Sequence, residues 1–292
     1  MSGAGRRLQL AKCIDIVRKQ DPNHYLCSTL LSPKYRATSF ILHALNCELD
    51  QIVNKTTKAH LAALKFKWWT DAVNKVCNDA DKVPPHPVAS SLPDIVKDSR
   101  TCKYFLTKLV KGKLERAENP LRIAKTMETV EDHFETTYSS LFYLILESSG
   151  VDDTDCLQAA SHMGKGVGLT LLLKSIPRDA LNDKVYLPTD LCLKSKVNYN
   201  KVTKGYNSDG LTDVVFQVAS KAKIHLDEVR QRHTSLPSHL KPFLLPCIPP
   251  LKYLERLERA NFAPFTPDLE DDALTDLGLK ARLAWSSFIG KI

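Results

Sequence analysis

Carboxylates spaced four residues apart recur along this chain. Asp94 and Asp98 in DIVKD, Asp209 and Asp213 in DGLTD, and Asp272 and Asp276 in DALTD share the spacing. Residues i and i+4 lie on one face of a helix, so such a pair can converge on a divalent cation through oxygen. Turn and cap signals or a polar face surround each pair. Helix capping and solvated faces are therefore the expected use, as for the acidic start DDTD at 152–155. A different pair stands in HALNCELDQIVN, residues 43–54. Asp50 and Asn54 point the same way from a helix whose other face carries an apolar stripe, and one is a carboxylate while the other is an amide. The stretch fits half of a metal site, the remnant of one, or neither.

Other chemistry is less marked. Eight cysteines, at 13, 27, 47, 77, 102, 156, 192 and 247, form no CxxC pair and mostly lie in apolar helical patterns. Free buried thiols in a reducing compartment fit them better than disulfides or zinc. His43, His60, His86, His133, His162 and His225 occur singly, as packed or surface groups, and no metal ligand set is expected. There is no Gly-x-Ser-x-Gly elbow. No Gly-rich turn follows a strand, so dinucleotide and P-loop chemistry are excluded. A formal charge of +8 and a pI near 9.0 favour phosphate-bearing ligands or acidic lipid surfaces, or simply a solvated basic exterior. The basic residues form no aromatic-interleaved block, so nucleic acid is not an expected partner. No run of 18 apolar residues exists to span a membrane.

Helices must position these groups, because nearly every segment repeats at helical period. Arg6, Arg7 and Lys12, with no acid before Asp15, fit the tail of a mitochondrial presequence or an ordinary first helix with Leu10, Ile14 and Val17 on one face. Ser32 as N-cap and Pro33 at the first helical position open a helix predicted to run to about Asn54. Leu61, Leu64, Trp68, Ala72 and Val76 form the next stripe, and DKVPPHPV (81–88) breaks the pattern. Helices are expected over 87–98 and 101–112, then a long one from Asn119-Pro120 to Gly150, then one that Pro177 stops at about 176. Residues 184–197 alone look strand-like, too briefly for a sheet. Helical period resumes from Leu211 to Val229, and shorter helices complete an all-α chain. The stretch 236–254, LPSHLKPFLLPCIPPLKYL, mixes lysine, proline and apolar residues, and reads as an interfacial segment or a packed, broken helix.

Three glycines, Gly164, Gly166 and Gly168, fall within one turn of a predicted helix. Each costs about 1 kcal/mol against alanine there. Close approach of a second helix and room for a ligand against the backbone are both sufficient reasons.

Several stretches in order resemble the squalene/phytoene synthases, all-α prenyl transferases. They are HYLCSTLLSPKYRATSFILHALNCELDQIVN, LKFKWWTDAV, PPHPVASSL, ASHMGKGVGLTLLLKSIPRD and DKVYLPTDL, and their succession covers residues 20–265. The resemblance implies a single-domain isoprenoid-synthase-type helical bundle around a central cavity, over residues 21–292. Residues 1–20 are left as an N-terminal segment, with a residual targeting sequence and first helix. In such enzymes two aspartate-rich helices hold Mg²⁺ ions that grip substrate diphosphates, and metal charge offsets the leaving group. Carried over by position, the first motif reads Asp50, Gln51, Ile52, Val53, Asn54, with one carboxylate. In the second, Ser175 stands where an aspartate belongs, Asp179 matches the last one, Gly168 replaces a glutamine, Leu171 an asparagine, and Lys174 keeps the basic position. With half the anionic ligands gone, the resemblance implies a fold without the family's catalysis, no bound metal and no cofactor. By the same resemblance Tyr25, Arg36, Leu49, Val53, Gly164, Gly168 and Leu172 would line a ligand cavity.

Within the family, YLCSTLL, ALNCELDQI, KFKWWTDAV, PPHPVA, SSLFYLILE and VYLPTDLC are similar to a phytoene-synthase-like mitochondrial subgroup that serves respiratory complex I assembly. That subgroup carries a longer presequence. The implied protein is a pseudoenzyme on the matrix side of the inner membrane, in peripheral contact with it, whose partners are complex I subunits or assembly intermediates. The alternatives are a Mg²⁺-dependent prenyl transferase, with Asp50, Asp179 and Arg36 in its site, and a prenyl- or lipid-binding protein.

Overall fold

The computed structural model describes residues 3–56, 58–96, 100–151, 153–233, 236–269 and 273–290. Asp98, Asp152 and Asp272 lie outside them. Among the described residues the chain is helical and has no strand. In chain order the α-helices are α1 (Gly3–Gln20), α2 (Pro22–Thr29), α3 (Pro33–Lys55), α4 (Ala59–Asn78) and α5 (Pro93–Val96). Then come α6 (Arg100–Glu118), α7 (Pro120–Ile123), α8 (Met127–Phe134), α9 (Ser140–Ser148) and α10 (Thr154–Ala180). The last five are α11 (Thr189–Lys194), α12 (Tyr199–Thr203), α13 (Asp209–Arg232), α14 (Ile248–Arg259) and α15 (Leu277–Ile289). They fall into two compact units, Met1–Glu118 with Ser140–Gln158, and Asn119–Ser139 with Ala159–Ile292. Among the described residues no helix is long and apolar enough to cross a membrane.

The first unit is built around α3, with α1, α6 and α9 packed on it and α4 beside α6. Every residue from Ser39 to Cys47 is buried, as expected of a helix surrounded by others. Pro33 supplies a fixed φ at the first turn, while Ser32 makes no side-chain cap bond. On α4 the buried residues are Ala62, Phe66, Trp69, Ala72, Val73 and Val76. The expected stripe holds at Ala72 and Val76 and fails at Leu61, Leu64 and Trp68, which are exposed. Apolar residues occupy both rows of this helix, and the row with Phe66 and the β-branched valines fills more interior volume. His86 of the proline-rich break lies against Trp68 and Trp69, at ring distances of 5.5 and 5.2 Å.

In the second unit, α13 and α15 pack on α14. The long helix expected from Asn119 is interrupted. Thr126 accepts from Thr129 N, and Thr129 Oγ1 accepts from Thr126 N, a capping box that restarts the helix at Met127. A π-helical turn, Glu135–Ser139, follows α8. Pro177 does not stop α10, which continues to Ala180. The proline removes one backbone donor in the last turn, where the helix has only three more residues to run. Within the strand-like stretch residues 189–194 form α11, and Thr189 at its start is tied to Ala124 O through its N and Oγ1. Residues 236–254 are no interfacial segment. Leu240, Phe243, Leu245, Ile248, Leu251 and Leu254 are all buried there.

The acidic pairs behave as caps and surface groups where they are described. Asp276 accepts from Leu279 N at the start of α15, and Asp153 from Cys156 N before α10. Asp209 and Asp213 are exposed. All eight cysteines are free thiols, and only Cys77 is not fully buried.

Candidate functional site

Asp50 projects from the last third of α3, and its partner comes from α6. Lys113 Nζ donates to Asp50 Oδ1 at 2.6 Å, and Asn46 Nδ2 donates to Oδ2 at 3.0 Å. Lys113 is only 2% exposed. Burial pushes its pKa down from the ordinary lysine value, and the Asp50 carboxylate opposes that shift. The polar pair on this helix is therefore Asn46 with Asp50, one turn earlier than expected. Asn54 is exposed and Gln51 half-buried, because α3 emerges from its packing before Lys55.

The other family-matched residues lie in the second unit. Ser175 Oγ donates to Asp179 Oδ2 at 2.6 Å, and the Arg178 guanidinium donates to Oδ1 through Nη2 and Nε at 3.1 and 3.3 Å. Asp179 is 9% exposed. The continuation of α10 past Pro177 keeps Ser175 and Asp179 one turn apart on one face, so Asp179 turns inward after all. With Leu172, Ile176, Tyr186 and Val202 it lines a small pocket. Lys174 sits over the Tyr253 ring, 5.3 Å from its centroid.

Of the two uses open to the glycines, the structure takes close helix approach. A Cβ on Gly164 would meet Ser139 N at 2.3 Å, and one on Gly168 would meet the Phe134 ring at 2.3 Å. One on Gly166 would fall 2.8 Å from the Leu226 side chain. The remaining cavity candidates divide. Leu49 is fully buried, Val53 is half-buried, and the Tyr25 ring packs on Phe40 at 5.8 Å. The Arg36 guanidinium donates twice to Leu31 O, at 3.1 and 2.9 Å, closing the turn between α2 and α3.

Histidines read as isolated are not. His225 Nε2 is 2.6 Å from Glu131 Oε1, and its Nδ1 is 2.9 Å from His162 Nδ1. Burial lowers the pKa of both imidazoles, against Glu131 in the case of His225. In neutral tautomers His162 donates to His225, and His225 donates to Glu131. A second group, half-buried Asp21 with buried His24 and His43, lies in the first unit. Sequence spacing carries one trace of it, the Asp-x-x-His at the start of α2. Nothing in the sequence marks Lys113, His43 or the partners across α8, α10 and α13.

The squalene/phytoene synthase family model matches residues 17–287. The chain belongs to the squalene/phytoene synthase family. Its curated relatives carry one name, NADH dehydrogenase (ubiquinone) complex I, assembly factor 6. The bovine protein is 31% identical over 270 residues, 92% of this chain and 80% of its own length. The Drosophila melanogaster homolog is 32% identical over 285 residues, 96% and 83%. The Dictyostelium discoideum homolog is 28% identical over 252 residues, 85% and 70%. Among solved structures, a dehydrosqualene synthase with bound ligand superposes with a TM-score of 0.80, over 98% of this chain and 97% of that one, at 14% identity. A squalene synthase from Alicyclobacillus acidocaldarius gives 0.73 over 90% and 98%, also at 14%. This family member thus has the helical fold of those enzymes, and at that identity the structural likeness speaks for the fold alone.

Proposed function

We propose that this squalene/phytoene synthase family member is a non-catalytic factor assisting assembly of mitochondrial respiratory complex I. One observation carries the non-catalytic half. The two carboxylates matched to the family's aspartate-rich motifs are each engaged by a cation and a neutral donor of the protein itself, Lys113 and Asn46 for Asp50, Arg178 and Ser175 for Asp179. Mg²⁺ needs several anionic or neutral oxygens around it. An ammonium bound to the carboxylate both occupies a lone pair and repels the ion. The names of the relatives support the assembly half. The partners are complex I subunits or assembly intermediates.

The reading extends to a peripheral protein on the matrix side of the inner membrane. Helix α15 supports that contact. Leu277, Trp285 and Phe288 are 78%, 63% and 86% exposed, and Ala281 and Ala284 continue the same row. Leu279, Leu283 and Ser286 face inward. An outward apolar row with an aromatic pair, on a chain of net charge +8, suits the boundary of an anionic lipid layer.

Depletion of the protein followed by native-gel analysis tests the assembly role, and unchanged complex I abundance would overturn it. Incubation with farnesyl or geranylgeranyl diphosphate and Mg²⁺ tests the non-catalytic role. Turnover that disappears in Asp50→Ala would make the chain an enzyme. Flotation with anionic vesicles tests the membrane contact, and Trp285→Glu/Phe288→Glu is expected to abolish it.

A further inference from the structure

Asp21, His24 and His43 converge inside the first unit. Asp21 caps α2, with Oδ1 accepting from His24 N at 3.2 Å and Oδ2 lying 2.7 Å from His24 Nδ1. His43 arrives from the middle of α3, and its ring stacks on His24 with centroids 4.2 Å apart and planes 30° apart. Phe142 of α9 covers both rings, at 6.1 and 6.3 Å. His24 and His43 are 5% and 2% exposed. His24 Nε2 and His43 Nδ1 are buried without a hydrogen-bond partner. Two unpartnered imidazole nitrogens in one buried spot are unusual, because interiors pair such atoms. One ligand atom from each of the three residues lies within 4.8 Å of the others.

We propose that Asp21, His24 and His43 bind a borderline divalent transition-metal ion, Zn²⁺ by the chemistry of the set. Two imidazoles and a carboxylate suit Zn²⁺ and its neighbours, whereas Mg²⁺ and Ca²⁺ take oxygen. The site is separate from Asp50, whose carboxylate is held by Lys113. A bound ion would tie the start of α2 to the middle of α3.

The test uses the full chain, freed of metal by chelator and titrated with Zn²⁺ against a chromophoric competitor. One ion per chain is expected, with a rise in Tm. His24→Phe and His43→Phe keep the ring volume and are expected to lose occupancy at micromolar free Zn²⁺. Asp21→Asn removes the anionic ligand and is expected to weaken binding by at least about tenfold. His60→Phe, at an exposed position, is expected to bind as wild type. Absence of binding, or affinity unchanged in the His24→Phe/His43→Phe double variant, overturns the site. If those variants fail to fold, X-ray absorption of the zinc-loaded wild type decides. Imidazole scattering supports the site, and an all-sulfur shell overturns it.

Discussion

The Lys113–Asp50 pair is the firmest point at which the non-catalytic reading can fail. At 2.6 Å and an effective dielectric near 20 the gross attraction is about 6 kcal/mol. Most of it is offset by desolvation, several kcal/mol for a buried ion. The net worth of the pair is small, yet the loss of one member is not. Asp50→Asn keeps shape and leaves an ammonium at 2% exposure without its carboxylate, which costs about 3–5 kcal/mol. Lys113 has an escape, since a lysine of ordinary pKa can deprotonate at pH 7 for about 4–5 kcal/mol, and that caps the penalty. Lys113→Met is milder, at about 1–2 kcal/mol, because Asp50 keeps its bond from Asn46 and is 27% exposed. The double variant Lys113→Met/Asp50→Asn has no buried charge and is expected within about 1 kcal/mol of wild type. Urea unfolding of the four proteins, with equal slopes, reads the coupling directly. Single effects that add to within about 0.5 kcal/mol would refute the reasoning. So would a Mg²⁺-dependent rise in the wild-type midpoint that Asp50→Asn removes, because Asp50 would then hold the metal.

Gly164→Ala and Gly168→Ala drive a methyl to 2.3 Å from the Ser139 backbone and the Phe134 ring. Each is expected to cost about 1–3 kcal/mol or more in thermal melts. Gly150→Ala meets no neighbour at φ +74° and is expected to cost about 1–2 kcal/mol from backbone strain alone. Burial depresses the folded pKa of His43, so its stabilisation is full above the unfolded value near 6.5. It is lost as pH falls from there toward the folded pKa, at up to about 1.4 kcal/mol per pH unit. The urea midpoint of wild type is expected to fall more steeply from pH 7 to 5 than that of His43→Phe, and parallel profiles would count against a neutral buried His43. With seven thiols buried and Cys77 partly accessible, a thiol reagent is expected to label Cys77 first in the native protein. Rapid native labelling of two or more cysteines would contradict the packing.

What the sequence could and could not tell follows from where each signal resides. Ser32-Pro33 predicted the start of α3 because fixed φ is local chemistry. The Thr126 capping box was missed although it is equally local, since threonine at its third helical position replaces the usual glutamate or glutamine. The first half of the α4 stripe was missed, at Leu61, Leu64 and Trp68, because apolar residues fill two rows there and only the neighbours decide which one turns inward. Pro177 was overweighted. Its cost depends on how much helix follows, and three residues follow. The ordered family wording singled out Asp50 and Asp179, yet it is silent about their partners. Arg178 and Ser175 stand next to Asp179 in sequence and could have been paired with it by helical spacing. Lys113, 63 residues from Asp50, could not, because a lysine on a half-polar helix reads as solvated until packing removes its water. His24 and His43 pose the same difficulty from 19 positions apart. The interactions that separate a metal clamp from an internally neutralised one thus sit at the longest range, where residue type and spacing carry the least information. An aspartate at a matched position can thus be engaged by a cation from another helix, as Asp50 is by Lys113, and packing alone reveals it.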